Sequence, residues 1–438
     1  MSRILVSCLP AAGHLRPALP IVTDLVAQGH DVLFYTGAAY RAQVERTGAS
    51  YTPIVHGIDA DESADMAEMF PERAKLKPGL ATLVWDMENI FVGGIPAYVQ
   101  DLEALVEEFR PDVLVGDFGS LALTVLAERD SLPLAMFGIT ALTTSSIDTA
   151  PFGFGLAPSS SALGRLRNRA LNALMRDQVM GKAQRAFNRI RASYGLEPVS
   201  HFFLDHPAHA SDVYLQSTVA GFEYPRSDLP ASVRFVGAAK LRGVDDWTPP
   251  SWWADLTPDR RVVLVTQGTV ATDPDEVIRP AVKALAGEDV LVIVATGIDP
   301  EVALPAADRP DNVRAEAFIP FDRLLPLVDL MITNGGYGGV NQALAAGVPL
   351  VVAGKSEDKV EVSARVAWSG AGINLKTQRP TPEAILRATD RVLSDDSYRR
   401  AATRLAAEFA THDSAAEQVE AILELVATPA VAAAVGAR

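Results

Sequence analysis

Short apolar runs alternate with helical patterns along the first half of the chain. The first run, residues 4–6, leads through a loop of small residues into apolar positions at helical spacing. Similar runs at 32–35, 113–115 and 134–137 are bounded by turn residues. Buried parallel strands that are covered by crossover helices have this pattern. The N-terminal half is therefore predicted to be α/β.

The same order returns in the second half. A run at 262–266 leads through a loop into a helix predicted near Asp275, and further runs occupy 290–295, 331–333 and 350–352. No obvious sequence repeat accompanies this repetition of architecture. Two α/β halves that are each open at the carboxyl ends of their strands predict a ligand crevice between them.

Residues 237–256 separate the two halves. This stretch contains consecutive prolines and a Trp-Trp pair without a helix or strand period. We predict an N-terminal domain over 1–236, an inter-domain linker over 237–256 and a C-terminal domain over 257–410. Residues 411–438 are expected to form a C-terminal helix and tail that could return to the N-terminal domain.

Composition narrows the range of partners. The 438 residues are 48% hydrophobic and carry a formal net charge of −15. We identify no Lys/Arg cluster that reverses this charge locally, and therefore predict no nucleic-acid partner and no stable membrane insertion. Cys8 is the only cysteine, and the start lacks a signal-peptide pattern, so a soluble cytoplasmic protein, monomer or homodimer, is expected.

A glycine-dense segment opens a predicted helix in the second half. Residues 333–349 read TNGGYGGVNQALAAGVP, directly after an apolar run. Glycine lets backbone N–H groups approach a ligand closely, and a helix N-terminus adds the positive end of its dipole. The segment could therefore hold a diphosphate. A tight turn that serves packing alone is the alternative when the motif is considered by itself.

The order of motifs resembles the family 1 glycosyltransferases, which have the GT-B fold and glycosylate natural products of plants and bacteria. The resemblance extends from Gly13-His14 through Asp117 and Thr269 to Arg365, nearly the whole chain. It implies two Rossmann-like domains that face each other across a cleft. The N-terminal domain, 1–236, would bind the acceptor and carry the catalytic base, and the C-terminal domain, 257–410, would bind the nucleotide sugar. It also implies a UDP- or dTDP-sugar as co-substrate, with no further cofactor and no metal.

The resemblance assigns a donor site. In that family the glycine-rich signature opens with a histidine that contacts the diphosphate and contains a glutamate that binds ribose; Asn334 and Gln342 stand there in this chain. The family's closing acidic–glutamine pair, which holds sugar hydroxyls, aligns with Asp358 and Lys359, although a solvated charge run is an alternative for both. The implied donor-binding residues are Gly13, Gly268, Thr269, Phe318, Ile319, Asn334, Gly335, Gly336, Tyr337, Gly338, Gly339, Gln342, Asp358 and Lys359.

Glycosyl transfer to a hydroxyl needs a positioned base, because the pKa of a hydroxyl is far above neutral. His14 follows the first predicted strand, and the family keeps its catalytic histidine at this place. Asp117 follows the strand at 113–116, where the family keeps a partner aspartate that orients the imidazole. A surface histidine and a helix-capping aspartate are the alternatives.

Large apolar residues in the loops of the first half could form the wall of an acceptor site. These are Met66, Phe70, Trp85, Phe91, Phe137 and Phe152. Core packing explains any one of them equally well. His201, His206 and His209 beside Asp205 could in principle bind a metal, but histidines in an irregular loop are more often polar surface.

The sequence therefore predicts an inverting, metal-independent transfer of a sugar to a hydroxyl of a hydrophobic small molecule. Natural products, phenolics, macrolides and lipids are all possible acceptors. A nucleotide-sugar epimerase is one alternative. A non-catalytic helper with the same fold is another, motivated by Asn334, Gln342 and Lys359.

Overall fold

Two parallel β-sheets form the framework of the protein. The computed structural model describes residues 1–61, 64, 66–77, 79–239, 247–268, 273–356 and 358–427. Within these ranges the first sheet has seven strands: β1 Arg3–Ser7, β2 Asp31–Thr36, β3 Ser50–Pro53, β4 Val113–Asp117, β5 Leu134–Gly138, β6 Val213–Gln216 and β7 Val233–Phe235. The second has six in the described part of the chain: β8 Arg261–Thr266, β9 Val290–Ala295, β10 Val313–Glu316, β11 Leu330–Thr333, β12 Leu350–Val352 and β13 Gly372–Asn374.

Helices cover both faces of each sheet. In the N-terminal half they are α1 Ala12–Ala27, α2 Arg41–Glu45, α3 Met66–Met69, α4 Pro71–Ala74, α5 Leu80–Asp86, α6 Ile95–Phe109, α7 Leu121–Asp130, α8 Ala162–Leu174, α9 Gly181–Ser193 and α10 His206–Ala210. In the C-terminal half they are α11 Ile278–Leu285, α12 Pro300–Ala303, α13 Phe321–Leu324, α14 Tyr337–Ala345, α15 Lys359–Trp368, α16 Pro382–Ser394, α17 Asp396–Phe409 and α18 Ser414–Ala427. None of the described helices is long and apolar enough to cross a membrane.

Burial on both faces explains the apolar strands. Every residue of β9, Val-Leu-Val-Ile-Val-Ala, is buried. One face of its sheet packs under α14 and α17 and the other under α11 and α16. Branched side chains suit such strands because they pack well on a pleated surface. The eight apolar runs predicted from the sequence all lie within strands.

Strand order creates a reversal point in each sheet. The orders are β3-β2-β1-β4-β5-β6-β7 and β10-β9-β8-β11-β12-β13, and all of these pairings are parallel. The chain therefore reverses its winding direction between β1 and β4, and again between β8 and β11. Ligands of open α/β sheets bind outside the carboxyl ends of the strands at such points.

The carboxyl ends of the two sheets meet across the domain boundary. Gln216, at the end of β6, donates a hydrogen bond from Nε2 to the Tyr337 hydroxyl at 2.6 Å. Thr218 donates to Asn341 Oδ1, also at 2.6 Å. Phe222 from the N-terminal half packs into the same core as the second sheet. The two reversal points therefore open into one shared cleft.

The connecting segments pack on both domains. Trp252, within the predicted linker, donates from Nε1 to Glu316 Oε1 at 2.8 Å and packs against the C-terminal core. Helix α18 crosses back to pack on α1, and its Val419 and Ile422 join the N-terminal core. Residues 240–246 of the linker and the tail at 428–438 lie outside the described residues.

Candidate active site

A histidine–aspartate pair occupies the reversal point of the first sheet. His14 is the third residue of α1, shortly after β1, and Asp117 is the last residue of β4. The strands β1 and β4 are neighbours, so their carboxyl ends bring the two residues together. His14 Nδ1 lies 2.8 Å from Asp117 Oδ1. The Asp117 side chain is completely buried, and the imidazole is 19% exposed.

The Asp117 carboxylate is fixed by further hydrogen bonds. It accepts from the backbone N–H of Leu9 at 2.8 Å, from that of Gly119 at 2.7 Å and from the Ser120 hydroxyl at 3.3 Å. An ionised carboxylate can only accept hydrogen bonds, so Asp117 accepts one from His14 as well. The imidazole proton therefore lies on Nδ1, and Nε2 is left as an acceptor. The ring also stacks on Phe118, with centroids 5.9 Å apart.

Gly119 lies at a tight turn beside the Asp117 carboxylate. A Cβ there would lie 2.6 Å from Leu9 Cδ1 and 3.0 Å from Asp117 Oδ1. Any side chain would therefore push against the carboxylate that holds His14. No sequence pattern marked Leu9, Gly119 or Ser120 as part of the site. A glycine two residues after the aspartate was the only local signal for them.

An apolar cavity of about 170 Å³ lies beside His14. Met66 and Phe91, both predicted from the sequence, line it together with Ile58, Ile90 and Tyr98. These side chains come from the loop after β3, from α3 and from the segment around α6. The cavity can therefore hold an apolar group next to the imidazole.

The structure does not bring the other predicted acceptor residues to this cavity. Phe70 packs edge-on against Trp85, with ring centroids 5.6 Å apart, and neither residue is among those that line the cavity. Phe137, only 1% exposed, lies in the core of the first domain. Phe152 packs against the core of the second domain. Aromatic residues near a pocket and in a core look alike in the sequence.

Asn334 stands at the reversal point of the second sheet, directly after β11. The side chain is 1% exposed. Its Nδ2 donates to the backbone carbonyl of Gln267, after β8, at 2.5 Å, and its Oδ1 accepts from Gly336 N at 3.3 Å. The amide therefore joins the two loops that form this end of the sheet. Its contact with a diphosphate stays a prediction.

The glycines after Asn334 open the helix α14. Gly335 has a φ of +88°, and a Cβ there would lie 2.7 Å from Ser363 Oγ. Gly336 is the residue that precedes the first helical turn, Gly338 is exposed, and Gly339 is partly buried. Backbone N–H groups of a first helical turn have no partner within the helix, so this end can bind an anion.

The remaining predicted donor residues lie around the cleft in different settings. Tyr337 is buried against the other domain, and Gln342 is partly exposed. Asp358 Oδ2 accepts from the Thr140 hydroxyl at 2.6 Å, and the buried Lys359 donates from Nζ to Ser356 Oγ at 3.3 Å. Three others of the set are exposed: Gly13, Gly268 and Phe318. Ile319 is buried in the core, and Thr269 lies outside the described residues.

Comparisons with known proteins identify the family. The sequence family described as Erythromycin biosynthesis protein CIII-like, C-terminal domain, matches residues 281–425. The 4'-demethylrebeccamycin synthase of Lentzea aerocolonigenes is 44% identical to this chain, over 97% of this chain and 100% of that protein. The chain belongs to the natural-product glycosyltransferases.

Two further comparisons agree. UDP-glycosyltransferase 2 of Phaeomoniella chlamydospora is 34% identical over 97% of this glycosyltransferase and 96% of that protein. The solved structure of a spinosyn rhamnosyltransferase complexed with thymidine diphosphate is 20% identical and covers 97% of this chain and 100% of that one, with a TM-score of 0.69. The predicted family and the two-domain GT-B fold are confirmed.

Substitution of Asp117 by asparagine in this glycosyltransferase is expected to reduce kcat by about 10²–10⁴-fold. An amide can present a donor to Nδ1, which turns the imidazole proton to Nε2 and removes the acceptor from the cavity side. Steady-state kinetics would measure the effect. Ser120→Ala is the matched control, because it removes the 3.3 Å contact of the Ser120 hydroxyl with Asp117 and its bond to the Ser7 carbonyl, and keeps the carboxylate. Unchanged kcat in Asp117→Asn would contradict an orienting role.

The domains of the glycosyltransferase are also joined by a buried ion network. Arg365, on α15, donates from Nε and Nη2 to Glu223 Oε1 at 2.7 and 2.6 Å, and from Nη1 to Glu361 Oε2 at 2.7 Å. Arg226 lies 3.1 Å from Glu223 Oε1. The Arg365 guanidinium also lies 4.0 Å from the ring centroid of Tyr224. Opposite charges therefore balance inside the interface.

Glu361 extends this network to a loop of the first domain. Its Oε1 accepts the backbone N–H groups of Gly153 and Gly155 at 2.9 and 2.8 Å. The loop thus lies on α15, whose N-cap and first residue are the predicted sugar-binding pair, Asp358 and Lys359. No sequence motif marked Glu223 or Glu361, because the contacts that join the domains, Glu223 with Arg365 and Glu361 with the loop at Gly153, link residues more than a hundred positions apart.

The three histidines near Asp205 form a stacked cluster. His201 stacks on His209 with centroids 4.4 Å apart and on His206 with centroids 5.3 Å apart. His206 Nε2 lies 2.7 Å from Glu128 Oε1. No group of three or more metal-binding side chains is found among the residues that the structure describes. The expectation of a polar surface is wrong for His206, which is 2% exposed, whereas His201 is partly buried and His209 is exposed.

This cluster predicts a loss of stability in acid. Burial, and after it the neighbouring imidazoles, lower the pKa of His201 to about 4, and burial lowers the pKa values of His206 and His209. Below the unfolded value near 6.5, the unfolded chain binds more protons, so the unfolding free energy falls as the pH drops from about 6.5 to 4.

His201→Gln is expected to flatten that pH dependence. The slope of the unfolding free energy against pH should fall by somewhat less than ~1.4 kcal/mol per pH unit, the value for one full proton, because His201 is only partly shielded from water. Urea unfolding between these pH values measures the slope. The unfolding free energies of both proteins above pH 8 serve as the internal control, since all three histidines are neutral there and any difference reports packing alone. An unchanged slope would show that His201 does not titrate on unfolding.

Proposed function

We propose that this glycosyltransferase moves a sugar from a UDP- or dTDP-sugar to a hydroxyl of a hydrophobic small molecule, with inversion at the anomeric carbon and without a metal. The arrangement of His14 is the observation that carries the proposal. Its Nδ1 is engaged by a buried aspartate while the ring lines an apolar cavity. A general base that accepts a proton from a bound hydroxyl needs this arrangement.

The proposed reaction is a single displacement. His14 Nε2 removes the proton of the acceptor hydroxyl as the oxygen attacks the anomeric carbon. The bond between that carbon and the diphosphate oxygen breaks, and the nucleotide diphosphate leaves. Asp117 stabilises the imidazolium that forms. One displacement from the face opposite the leaving group inverts the anomeric configuration.

The amino end of α14 is proposed to stabilise the leaving group. Backbone N–H groups around Gly336 and Gly338, together with the helix dipole, favour the negative charge that develops on the diphosphate. Fixed N–H donors of this kind can do so without a divalent cation. The glycines keep side chains away from the backbone, so that phosphate oxygens can approach it closely.

Two comparisons support the nucleotide part of the donor. The name of the relative from Phaeomoniella chlamydospora specifies UDP. The spinosyn rhamnosyltransferase was crystallised with thymidine diphosphate. Both nucleotides carry a pyrimidine and the same diphosphate, which is the part that the helix end would hold. The apolar cavity and the 4'-demethylrebeccamycin synthase relative support a hydrophobic natural product as acceptor.

The test pairs UDP- and dTDP-sugars with phenolic, macrolide and lipid hydroxyls and follows products by mass spectrometry. We expect the mass gain of one sugar residue, release of nucleotide diphosphate only when acceptor is present, and the same yield with a chelator. NMR of the product should show the anomeric configuration opposite to that of the donor. Retained configuration or chelator-sensitive yield would contradict those parts of the proposal. Sugar rearrangement without nucleotide release would support an epimerase instead.

A further inference from the structure

A strongly basic segment interrupts the acidic chain. Residues 162–193, which span α8 and α9, contain seven arginines, one lysine and a single acidic residue, Asp177. The local net charge is +7 in a chain of −15. The expectation that no basic cluster reverses the charge is therefore wrong for this segment. The individual basic residues are spread over thirty-two positions, so the cluster is clear only when the helices are known.

Three of the basic residues are paired within the protein. Arg165 pairs with Asp148, Arg176 with Asp177, and Arg191 with Glu128. The other five are exposed and form no ion pair with any described residue: Arg167, Arg169, Lys182, Arg185 and Arg189. Lys182, Arg185 and Arg189 follow a spacing of three and four residues, which places them on one face of α9. An acidic protein thus presents a basic surface that its own carboxylates do not neutralise.

Exposed leucines accompany these charges on α8. Leu163, Leu166 and Leu174 are 81%, 63% and 49% exposed. Their spacing of three and then eight residues places them on one side of the helix, and Arg167 and Arg169 lie at the two borders of this stripe. Exposed leucines in a row with flanking arginines are typical of helices that lie in the surface of an anionic membrane.

We infer that α8 and α9 dock this enzyme peripherally on an anionic lipid surface. The leucines of α8 enter the boundary of the acyl chains, and the unpaired cations bind lipid phosphates. The phosphates of a nucleic acid could bind the cations, but a nucleic acid has no apolar region in which the leucines could be buried. This docking requires no membrane-spanning helix.

The docking surface is connected to the acceptor cavity. Helix α9 packs against the helical turn at Met87–Val92, whose Ile90 and Phe91 line the cavity beside His14. Docking therefore holds the cavity near the apolar phase in which a hydrophobic acceptor dissolves. This consequence rests on the proposed function, whereas the docking itself does not.

The experiment is flotation of the full chain with vesicles of phosphatidylcholine, with and without phosphatidylglycerol. We expect binding only to the anionic vesicles at low salt and release at about 1 M salt, where charges are screened within ~3 Å. Arg185→Glu/Arg189→Glu should weaken vesicle binding by at least about 30-fold, because each basic residue near the surface contributes roughly 1 kcal/mol. Leu163→Ser/Leu166→Ser should also weaken it.

The matched control is Arg400→Glu/Arg404→Glu, which makes the same charge change at two exposed positions of α17. It should retain vesicle binding within about twofold, since it lies outside the basic surface. Transfer to a water-soluble acceptor should be unchanged in all variants and verifies that they fold. Vesicle binding without any transfer would refute the proposed function and leave docking intact; transfer without vesicle binding would do the reverse.

Several outcomes would overturn the docking inference. Equal binding to neutral and anionic vesicles would show that the cations do not drive binding. An equal loss of vesicle binding in the Arg400→Glu/Arg404→Glu control would show that binding does not depend on α8 and α9. Binding to duplex DNA but not to vesicles would make the surface a nucleic-acid site. A dimer that Leu163→Ser/Leu166→Ser dissociates, without vesicle binding, would make the stripe a subunit interface.

Discussion

His14→Ala is expected to reduce kcat by about 10³–10⁴-fold while the protein remains folded. The imidazole is partly exposed, and its removal leaves Asp117 with hydrogen bonds from Leu9, Gly119 and Ser120. The loss should therefore fall on the chemical step rather than on stability. Acceptor-dependent release of nucleotide diphosphate, measured at saturating donor, gives the rate.

A second histidine–aspartate pair offers the matched control for this prediction. His56 Nδ1 lies 2.5 Å from Asp101 Oδ1, and the His56 side chain is 48% exposed. Asp101 also accepts the Tyr35 hydroxyl at 2.7 Å and the backbone N–H groups of Val55 and Gly57, so it holds this loop without His56. His56→Ala should change kcat by less than about threefold. Equal losses in both variants would mean that His14 is not the base.

Arg365→Met is expected to lower the free energy of unfolding by about 3–5 kcal/mol. The arginine is 1% exposed, and its loss leaves Glu223 and Glu361 buried, with Arg226 still paired to Glu223. Burial alone would raise the pKa of Glu223, but the attraction of Arg365 and Arg226 outweighs it and lowers that pKa. Two buried carboxylates beside one cation are costly, and urea unfolding would measure that cost.

An exposed pair calibrates this prediction. Arg41 and Glu45 form a surface ion pair on α2, with side chains 66% and 49% exposed. Arg41→Met should leave the unfolding free energy almost unchanged, because water and salt screen an exposed ion pair. The triple variant Arg365→Met/Glu223→Gln/Glu361→Gln should regain part of the loss, because it removes the uncompensated charges. A loss below about 1 kcal/mol in Arg365→Met would show that the network does not stabilise the fold.

The periodic pattern predicted the strands well where they are apolar and central. The runs at 290–295 and 350–352 match β9 and β12 residue for residue. The strands without such a pattern, β3, β6, β7, β10 and β13, were not predicted. Four of them, β3, β7, β10 and β13, are edge strands, and edge strands are half solvated and contain polar residues, as in Ser50–Pro53.

Predictions for the cleft depended on motifs rather than on periodicity. His14 and Asp117 were placed by their motif positions, and the structure brings them within 2.8 Å. Asn334 was assigned to the donor, yet its amide bonds to Gln267 and Gly336, a setting that no sequence pattern indicates. A side chain's partners depend on which loops the fold brings beside it.

The sequence by itself determined the α/β class, the two halves, the family and the histidine that follows the first strand. These depend on local patterns, because strands, turns and helix starts are encoded within a few residues. Only the tertiary structure decided which residues support Asp117, which aromatic side chains line the cavity, how Arg365 joins the domains and where the basic helices lie. Each of these results from contacts between residues that are distant in the chain, and the physical reason is that burial and pairing depend on strand order and domain packing, which local patterns do not specify.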